Sequence, residues 1–565
     1  MPVGTLLTTL SVALLGAVMY GVQATYRHRR QINRLRKQGV PMPAEWNWIT
    51  GHLLVLKKYV DCIPPDANVA LATKELAFEF PNTEIFLMDF WPVYPALWMV
   101  FGPEVAHQVT TTYNLPKSDI VAQFMKPITG GPNLVSMSDG EWKIWRSVFN
   151  PGFSAGNMTE LLPDIIDSVQ IFCDQLRARV DTGVFCLDDL TTRLTMDVIL
   201  KVVLDMDSEH QLSDNMLATA LGNITRWHSF WDPRVLAHPL RPAIQQYYGR
   251  VLNRLIKQEL VRRFAEMRQA SLSPNSTTKR AKSVIALAIE AYMTSSSKSL
   301  AEVETLDESF AQYATYQIRL FLFAGNDTTS SSIIYVYHLL SKHASALARV
   351  RAEHTVIFGP SPGAAAQILR LQPALLNRCT YTLAVIKETL RLFPPAGTNR
   401  KGRYGVTLLD RNNNTYPADY VGATILHTAM HLNPRVWPRP TEFLPERWLV
   451  EQGHELYPDP AAFRAFEHGP RNCIGQTLVY NEMRLVLVMT AREFDIRPAY
   501  EEWDAAADAA AEKTLAARLR RGLGVRGAGR PPRTVNGERA YQTEKAGGHP
   551  ADGYPCRVEM AAQEQ

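Results

Sequence analysis

A single cysteine in a glycine-punctuated loop constrains this chain more than any other feature. The loop runs from Phe466 to Gly475 as Phe-Glu-His-Gly-Pro-Arg-Asn-Cys-Ile-Gly, and a helical pattern follows it. A thiolate at Cys473 would sit near a helix N-terminus, where backbone N–H groups and the helix dipole favour negative charge. Gly469 and Gly475 let the backbone approach a flat, bulky group, and Arg471 can neutralise an acid on that group. An isolated cysteine is more often a small buried hydrophobe, so the surrounding pattern decides its role.

The pattern Phe-x-x-Gly-x-Arg-x-Cys-x-Gly resembles the haem-binding loop of the cytochrome P450 family of haem-thiolate monooxygenases. The resemblance implies that Cys473 is the axial ligand of a haem b iron and that Phe466, Arg471 and Gly475 contact the cofactor. In that family the thiolate pushes electron density toward the iron, which favours cleavage of the O–O bond. The expected fold is therefore mainly α with small β-sheets, in a single large haem domain.

Composition and charge fit an ordinary globular protein and argue against several kinds of partner. The chain has 565 residues, of which 46% are hydrophobic and 20% charged, and its net charge of +5 gives no case for nucleic-acid binding. The cysteines show no Cys-x-x-Cys spacing, which argues against a zinc site or a disulfide framework and indicates a reducing compartment. They are Cys62, Cys173, Cys186, Cys379, Cys473 and Cys556.

The N-terminus has the pattern of a membrane anchor. Residues 2–26 carry no charge, and Val3–Val22 supply about twenty mostly apolar residues, enough to span a bilayer. Basic residues crowd the positions that follow, so the remainder is expected in the cytosol. A cleaved signal peptide is the rival, but it carries its charge before the apolar run. We predict a transmembrane signal anchor at 1–26, a basic, proline-bearing linker at 27–50 and the haem domain at 51–565, on the endoplasmic reticulum membrane.

Further positions fit a haem site once the cysteine is accepted as a ligand. Trp142 and Arg146 are four apart at the start of a predicted helix and so lie on one face. In the family such a pair holds a haem propionate, since indole N–H and guanidinium both donate to carboxylate. Without haem the same pair is an aromatic–cation surface contact. Either Arg400 or Lys401 is a further candidate partner of a propionate, and the sequence leaves that choice open.

A long predicted helix, Ser309–Leu340, has a polar centre between apolar flanks. Asn326–Ser332 are seven consecutive polar residues, and burying such groups is costly unless they find partners. The run resembles the family motif Ala-Gly-x-Asp-Thr-Thr. The resemblance implies that Gly325 admits the cofactor, that Thr328 hydrogen-bonds dioxygen or water, and that Asp327 relays the protons needed for O₂ cleavage. The alternative is a polar stripe facing water or another helix.

Glu388 and Arg391 share one face of another predicted helix. A Glu-x-x-Arg pair is usually a weak surface pair. The resemblance implies instead a buried network in which both residues lock to Arg447, in the proline-rich stretch downstream, and hold the cysteine loop in place. We therefore expect loss of Glu388 to give haem-free protein. His431 is expected to be a structural hydrogen-bonding residue rather than an iron ligand.

The C-terminus departs from the compactness of the family. Residues 503–521 are alanine-rich with paired charges, which fits a helix, and residues 522–532 have the Gly, Arg and Pro content of a linker. We interpret 503–532 as a surface insertion or as retained non-coding sequence. Residues 534–558 have the pattern of the family's closing strands.

The function that the resemblance implies is monooxygenation of a lipophilic small molecule, by hydroxylation or epoxidation. Electrons would come from NADPH through a membrane-bound reductase that docks on the basic face around Arg471. The whole chain resembles fungal microsomal members that act in secondary metabolism on polyketides or terpenoids. Two alternatives are a haem-thiolate isomerase or dehydratase that uses no O₂, and a non-catalytic, membrane-anchored haem-binding protein. The pair of Asp327 and Thr328 argues against both.

Overall fold

Helices carry most of the fold. The structure, a computed structural model, describes residues 3–137, 139–229, 233–272, 282–297, 299–512 and 533–562. Within these ranges the helices are α1 (Val3–Lys37), α2 (Leu53–Val60), α3 (Val69–Ala77), α4 (Pro103–His107), α5 (Asp119–Thr129), α6 (Asp139–Phe149), α7 (Ala155–Glu160), α8 (Leu162–Arg177), α9 (Leu187–Leu204), α10 (Met216–Arg226), α11 (Pro233–Leu236), α12 (Arg241–Leu272), α13 (Val284–Ser295), α14 (Glu308–Lys342), α15 (Ala344–Phe358), α16 (Ala364–Leu371), α17 (Thr380–Leu392), α18 (His427–His431), α19 (Gln476–Thr490) and α20 (Tyr500–Glu512).

Small sheets flank the helices. The described strands are β1 (Ile85–Met88), β2 (Leu97–Val100), β3 (Phe185–Cys186), β4 (Thr398–Arg400), β5 (Thr407–Leu409), β6 (Thr415–Pro417), β7 (Gly422–Ile425), β8 (Phe494–Pro498) and β9 (Pro555–Met560). They form sheets in the orders β1-β2-β7-β4, β3-β9-β8 and β5-β6. All pairs are antiparallel except β2 with β7, where Leu97 lies opposite Gly422. The predicted class, mainly α with small β-sheets, is confirmed.

Helix α14 lies at the centre of the largest hydrophobic cluster and packs against α5, α9, α12, α17 and α19. Asp307 starts it by accepting a hydrogen bond from the backbone N–H of Phe310 at 2.8 Å. Its apolar flanks, including Ile318 and Ile334, are fully buried. The helix predicted from Ser309 to Leu340 is thus confirmed, and it extends slightly at both ends.

Helix α19 begins directly after the cysteine loop and spans the residues that the sequence predicted, Gln476–Thr490. Nearly all of its length is buried, from Leu478 to Thr490. Because α19 packs against α14 and α17, the loop before it is held by the core rather than by surface contacts. This arrangement places the cysteine loop next to the long central helix.

Helix α1 runs without a break through residue 26, and its second half packs on the domain. Arg29 is buried, pairs with the Asp89 carboxylate, and donates to the carbonyls of Trp48 and Trp91 at 2.9 and 2.7 Å. No described helix combines the length and the apolarity that a bilayer crossing requires. The predicted transmembrane helix is therefore unsupported, and part of its span, the side chains of residues 3–8 and 10, lies outside the described residues.

The C-terminal end closes the sheet that is formed by β3, β9 and β8. Strand β9 pairs with β8 from Phe494 opposite Met560 to Pro498 opposite Cys556. Of the closing strands predicted within 534–558, only β9 forms a regular strand in the described range. The insertion predicted at 503–532 falls largely on residues 513–532, outside the described residues.

Candidate active site

The cysteine loop places the Cys473 thiol among backbone donors. The Cys473 N–H donates to the Phe466 carbonyl at 2.8 Å, which closes the loop on itself. Burial raises the pKa of the thiol, while the backbone N–H groups of Gly475 and Gln476 and the charge of Arg146 lower it. These donors face the sulfur because α19 starts at Gln476 and leaves its first N–H groups unpaired. The site therefore favours a thiolate as soon as a metal compensates for burial.

Interior space opens beside the sulfur. The Cys473 side chain keeps accessible surface although burial within the fold raises the pKa of its thiol. A Cβ added at Gly475 would meet only the Cys473 sulfur, at 3.9 Å, so nothing else fills the space next to it. At position 469 the backbone itself requires glycine. Its φ is +81°, and a Cβ there would lie 2.6 Å from the Thr110 carbonyl oxygen. Gly475 is thus the loop glycine with open space beside the thiol.

Two buried arginines carry N–H groups that pair with nothing in the described part of the chain. Arg400 Nη1 donates to the Leu115 carbonyl at 3.0 Å, but its Nε and Nη2 have no such partner. Arg471 Nη2 donates to the Met137 carbonyl at 3.1 Å and to Asp139 Oδ1 at 2.6 Å, which leaves its Nε and Nη1 unsatisfied. Buried charged donors without acceptors are costly. A ligand with carboxylates would satisfy them.

The two candidate partners of a propionate, Arg400 and Lys401, have different surroundings. Lys401 is exposed and its Nζ lies 2.5 Å from Asp119 Oδ2 at the surface, whereas Arg400 is fully buried. Burial lowers the pKa of Arg400 to about 10. Lys117, which the sequence analysis missed, lies in the same cluster, where burial and the charges of Arg400 and Arg471 lower its pKa to about 7. Lys117, Arg400 and Arg471 therefore form one cluster of basic side chains.

The predicted pair on α6 contacts the cysteine loop. Arg146 Nη1 and Nη2 donate to the carbonyl and side-chain oxygens of Asn472 at 2.9 and 3.1 Å. The Trp142 ring lies under the guanidinium of Arg471, with 4.8 Å from Cζ to the ring centroid. Arg146 thus braces the residue next to Cys473, and Trp142 positions Arg471. A propionate clamp by this pair stays a prediction.

Most of the polar centre of α14 is buried, and part of it faces another helix. Asn326 Nδ2 donates to the Thr192 carbonyl at 2.6 Å and to Thr195 Oγ1 at 3.0 Å, both on α9. A Cβ at Gly325 would lie 2.7 Å from Ile199 Cδ1. This glycine allows α9 to pack closely on α14, and its predicted closeness to the cofactor stays a prediction. The alternative prediction, a polar stripe that faces water or another helix, is therefore right for Asn326.

Asp327 and Thr328 differ in their surroundings. Thr328 is half-buried, and its Oγ1 donates to the Ala324 carbonyl at 2.8 Å within the helix. Asp327 Oδ1 lies 3.3 Å from His549 Nε2, and its Oδ2 is buried with no hydrogen-bond partner among the described residues. Burial raises the pKa of Asp327, and the neighbouring His549 opposes that rise. The carboxyl group is thus a buried acid that a histidine contacts.

Glu388, Arg391 and Arg447 meet in a fully buried network. Glu388 Oε1 accepts from Arg391 Nη2 at 2.8 Å, Arg447 Nε at 3.0 Å and the Leu444 N–H at 3.1 Å. Its Oε2 accepts from Arg391 Nε and Trp448 Nε1, both at 3.0 Å. Each of the three charged side chains is fully inaccessible to solvent. The prediction that these three residues meet is confirmed, and their role in holding the loop stays a prediction.

Histidines join this network to the cysteine loop. His431 Nδ1 contacts the Arg391 carbonyl at 3.0 Å, and its Nε2 accepts from the Arg464 N–H at 2.9 Å. His468 Nε2 donates to the Phe463 carbonyl at 2.8 Å. Burial holds the pKa of His431 well below its ordinary value, so it stays neutral. The interpretation of His431 as a structural residue is confirmed.

Comparisons with known proteins identify the fold and the family. The family model of cytochrome P450 matches residues 41–508. The chain is 37% identical over 564 residues to the cytochrome P450 monooxygenase polC of Polytolypa hystricis (strain UAMH7299), covering 98% of this chain and 96% of that one. The chain belongs to the cytochrome P450 family. It is 32% identical to the cytochrome P450 monooxygenase acrF of Aspergillus aculeatus (strain ATCC 16872 / CBS 172.66 / WB 5094), covering 74% and 86% of the two chains. A crystal structure of a cytochrome P450 (CYP102L1) has the same fold, with a TM-score of 0.65 and 17% identity over 87% of this chain and 98% of that one.

This P450 is a haem-dependent monooxygenase that uses haem b and takes electrons from NADPH through a reductase. The side chains fit that group. A thiol with backbone donors opens onto interior space, and Arg400 and Arg471 leave buried donors unsatisfied, as a ligand with two carboxylates requires. Cys473 would therefore supply a soft ligand to the haem, and Arg400 and Arg471 would supply donors to its carboxylates.

Two residues at this site escaped the sequence analysis. Lys117 lies far from any motif, and it enters the cluster because its backbone forms a β-bridge with Arg400. His549 reaches Asp327 from the C-terminal end, whose contribution the sequence left open. A signal for Lys117 was the run of polar residues after Leu115, whereas no local pattern marks His549.

Proposed function

We propose that this P450 hydroxylates or epoxidises a lipophilic small molecule of the polyketide or terpenoid class in fungal secondary metabolism. Two observations carry the proposal: the accessible Cys473 thiol at the start of α19, and the buried donors of Arg400 and Arg471 that find no acceptor among the described residues. Fungal relatives at 37% and 32% identity support the metabolic setting.

We assign roles to the residues around the cofactor. Cys473 would ligate the iron, Arg400, Arg471 and Lys117 would pair with the propionates, and Phe466 and Gly475 would line the ring. The tryptophan and arginine of α6 would brace this edge by the contacts described above. When bound, the haem supplies the activation of O₂, with one oxygen atom entering the substrate and the other leaving as water.

The polar centre of α14 would supply the protons. Burial raises the pKa of the Asp327 carboxyl group, so it takes up a proton more readily than an exposed acid does. Thr328 is half-buried and its hydroxyl donates to the Ala324 carbonyl, so its lone pairs are free to accept a hydrogen bond; to pass its proton on, the hydroxyl must turn away from that carbonyl. An acid and an alcohol side by side are what the two-proton step requires.

Helix α1 would attach this P450 to the endoplasmic reticulum membrane, with the catalytic domain in the cytosol. Its described apolar residues stand in solvent, among them Val12 at 70% and Met19 at 65% exposed, and the basic residues Arg30 and Arg34 follow. Carbonate-washed membranes should retain the full chain and release a variant that lacks residues 1–26. Retention of both would show that another surface binds the membrane.

The reductase would dock on the face beneath the cysteine loop. Arg471 is buried, so its own side chain is not available as a docking contact. A surface groove there is lined by Lys387, Tyr457, His468 and Gln476. The cysteine loop forms one wall of this groove, which gives electrons a short path to the thiolate. Replacing Lys387 by Glu should slow reduction of the haem by the reductase but not by dithionite.

The test is an isotope experiment on the reconstituted enzyme. The holoenzyme with NADPH reductase in lipid vesicles is offered lipophilic extracts of a fungal host under ¹⁸O₂. The proposal predicts products that gain one ¹⁸O atom and depend on NADPH. Products without ¹⁸O and without NADPH demand would show an isomerase or dehydratase, and binding without any product would show a haem-binding protein.

A further inference from the structure

The C-terminal segment 533–560 lies along one face of α14. Residues of the helix that contact it include Asp327, Ser331, His338 and Lys342. Ser331 Oγ donates to the Gly547 carbonyl at 2.7 Å. His338 Nε2 and Lys342 Nζ lie 3.1 and 2.6 Å from the same carboxylate oxygen of Glu538. Spacings of four, seven and four residues keep these positions on one side of a helix. The segment is therefore docked on the oxygen-handling helix at several points.

His549 is the residue of this segment that reaches Asp327. It is 4% exposed, and its ring lies between two carboxylates. Nδ1 is 2.5 Å from Asp188 Oδ1 on α9, and Nε2 is 3.3 Å from Asp327 Oδ1 on α14. Its own carbonyl accepts from the N–H and Oγ1 of Thr543, both at 2.8 Å. Backbone and ring are thus held independently, which fixes the imidazole between the two acids.

The side chain of Asp327 faces this segment. A Cβ at Gly547, whose φ is +72°, would lie 2.6 Å from Asp327 Oδ2 and 2.7 Å from its backbone carbonyl oxygen. Thr328 is the next residue and points about 100° further round the helix. The acid and the alcohol therefore have different surroundings, and the acid has the C-terminal segment as its neighbour.

The groups around Asp327 form a chain of charges that leads to the surface. Asp188 and Asp327 raise the pKa of His549 to about 10 against the effect of burial, so the ring is an imidazolium at neutral pH. Lys545 is exposed, and its Nζ lies 3.5 Å from Asp188 Oδ2. Successive contacts of 3.5, 2.5 and 3.3 Å thus join a surface lysine to Asp327 through Asp188 and His549.

We propose that His549 is a positioning residue for monooxygenation that couples Asp327 to the protein surface, with Asp188 fixing the ring for that transfer. The inference rests on the proposed role of Asp327 as a proton relay. The proton on Nε2 passes to a carboxylate oxygen of Asp327, leaving a neutral ring whose Nδ1–H stays with Asp188. A proton from bulk water then restores the imidazolium. No other atom or electron moves in this step.

The test compares His549→Gln and Asp188→Asn with His338→Gln. His338 is the matched control because it is also buried, also lies between α14 and the C-terminal segment, and does not contact Asp327. Each holoenzyme is reconstituted with NADPH reductase in lipid vesicles. Hydrogen peroxide released per NADPH consumed is measured without added substrate, and NADPH consumption is compared in H₂O and D₂O.

We expect His549→Gln and Asp188→Asn to raise the peroxide ratio about threefold or more and to change the solvent isotope effect, since proton supply limits the competing path to water. His338→Gln should leave both unchanged. All variants should keep haem content and the carbon monoxide spectrum. Equal values for His549→Gln and His338→Gln would overturn the proposal, since docking of the segment alone would then explain the result.

Asp327→Asn separates this inference from the proposed function. An unchanged peroxide ratio in Asp327→Asn would refute the relay role itself. A raised ratio there with no change in His549→Gln and Asp188→Asn would refute only the role of His549. If His549→Gln fails to retain haem, Asp188→Asn decides the question, because it keeps the shape of the side chain and removes the charge that holds the ring.

Discussion

Removing Glu388 should cost this P450 its haem. The carboxylate accepts five hydrogen bonds, from two side-chain atoms of Arg391, one each of Arg447 and Trp448, and the Leu444 N–H. Glu388→Ala removes all five acceptors and leaves two guanidinium groups buried without their counter-charge. The stretch after α17, which contains Arg447, would then lose three hydrogen bonds to that helix.

The magnitude follows from burial. Breaking a buried ion pair by removing one partner costs about 3–5 kcal/mol, because the remaining charge stays in a low-dielectric interior. A typical domain has only about 5–15 kcal/mol of stability, so the loss is a large share of the total. The damage should concentrate at the cysteine loop, since His431 connects the Arg391 carbonyl to the Arg464 N–H ahead of that loop.

The assay is haem per protein after purification, together with urea unfolding of the haem-free chains. Glu388→Ala should bind little haem, and Glu388→Gln should retain an intermediate amount because it keeps some acceptors. The control is Asp61→Asn, which breaks the exposed pair with Lys57 at 2.6 Å and should change the free energy of unfolding by less than about 1 kcal/mol. Full haem content in Glu388→Ala would refute the reasoning.

Further predictions concern the cofactor edge, the proton relay and pH. Arg400→Ala should lose haem to apomyoglobin roughly tenfold faster or more, since charge-assisted hydrogen bonds contribute about 1.5–3 kcal/mol; exposed Lys401→Ala should lose it at the wild-type rate. Thr328→Val should lower product per NADPH at least about tenfold, with peroxide rising in its place. The folded-state pKa of His549 is raised to about 10. The stability that His549 adds relative to His549→Gln should therefore be complete below about pH 6.5 and be lost as pH rises through about 10. Urea unfolding of both proteins across this pH range measures the difference.

The sequence predicted the parts of this P450 that depend on local pattern. The helices α14 and α19 and the cysteine loop follow from hydrophobic period, helix-start chemistry and a spacing confined to ten residues. The network of Glu388, Arg391 and Arg447 was also predictable, because the family resemblance fixes which distant residues meet. Its hydrogen bonds then follow from burial, which demands a partner for each charge.

Contacts between distant segments escaped prediction. Gly325 makes room for Ile199, and only the packing of α9 on α14 reveals that. The choice between Arg400 and Lys401 depends on the alternation of faces along β4, whose register the sequence does not give. His549 joins Asp327 through a long-range docking of the C-terminus. None of these follows from spacing along the chain.

The measurement that tests the central claim most directly is the carbon monoxide difference spectrum of the reduced protein in membranes. Ligation of the iron by the Cys473 thiolate predicts a Soret band at the far-red position typical of haem-thiolate proteins, and its loss in Cys473→Ala. A band at the histidine-type position in the wild-type protein, or a far-red band that survives Cys473→Ala, would contradict the assignment.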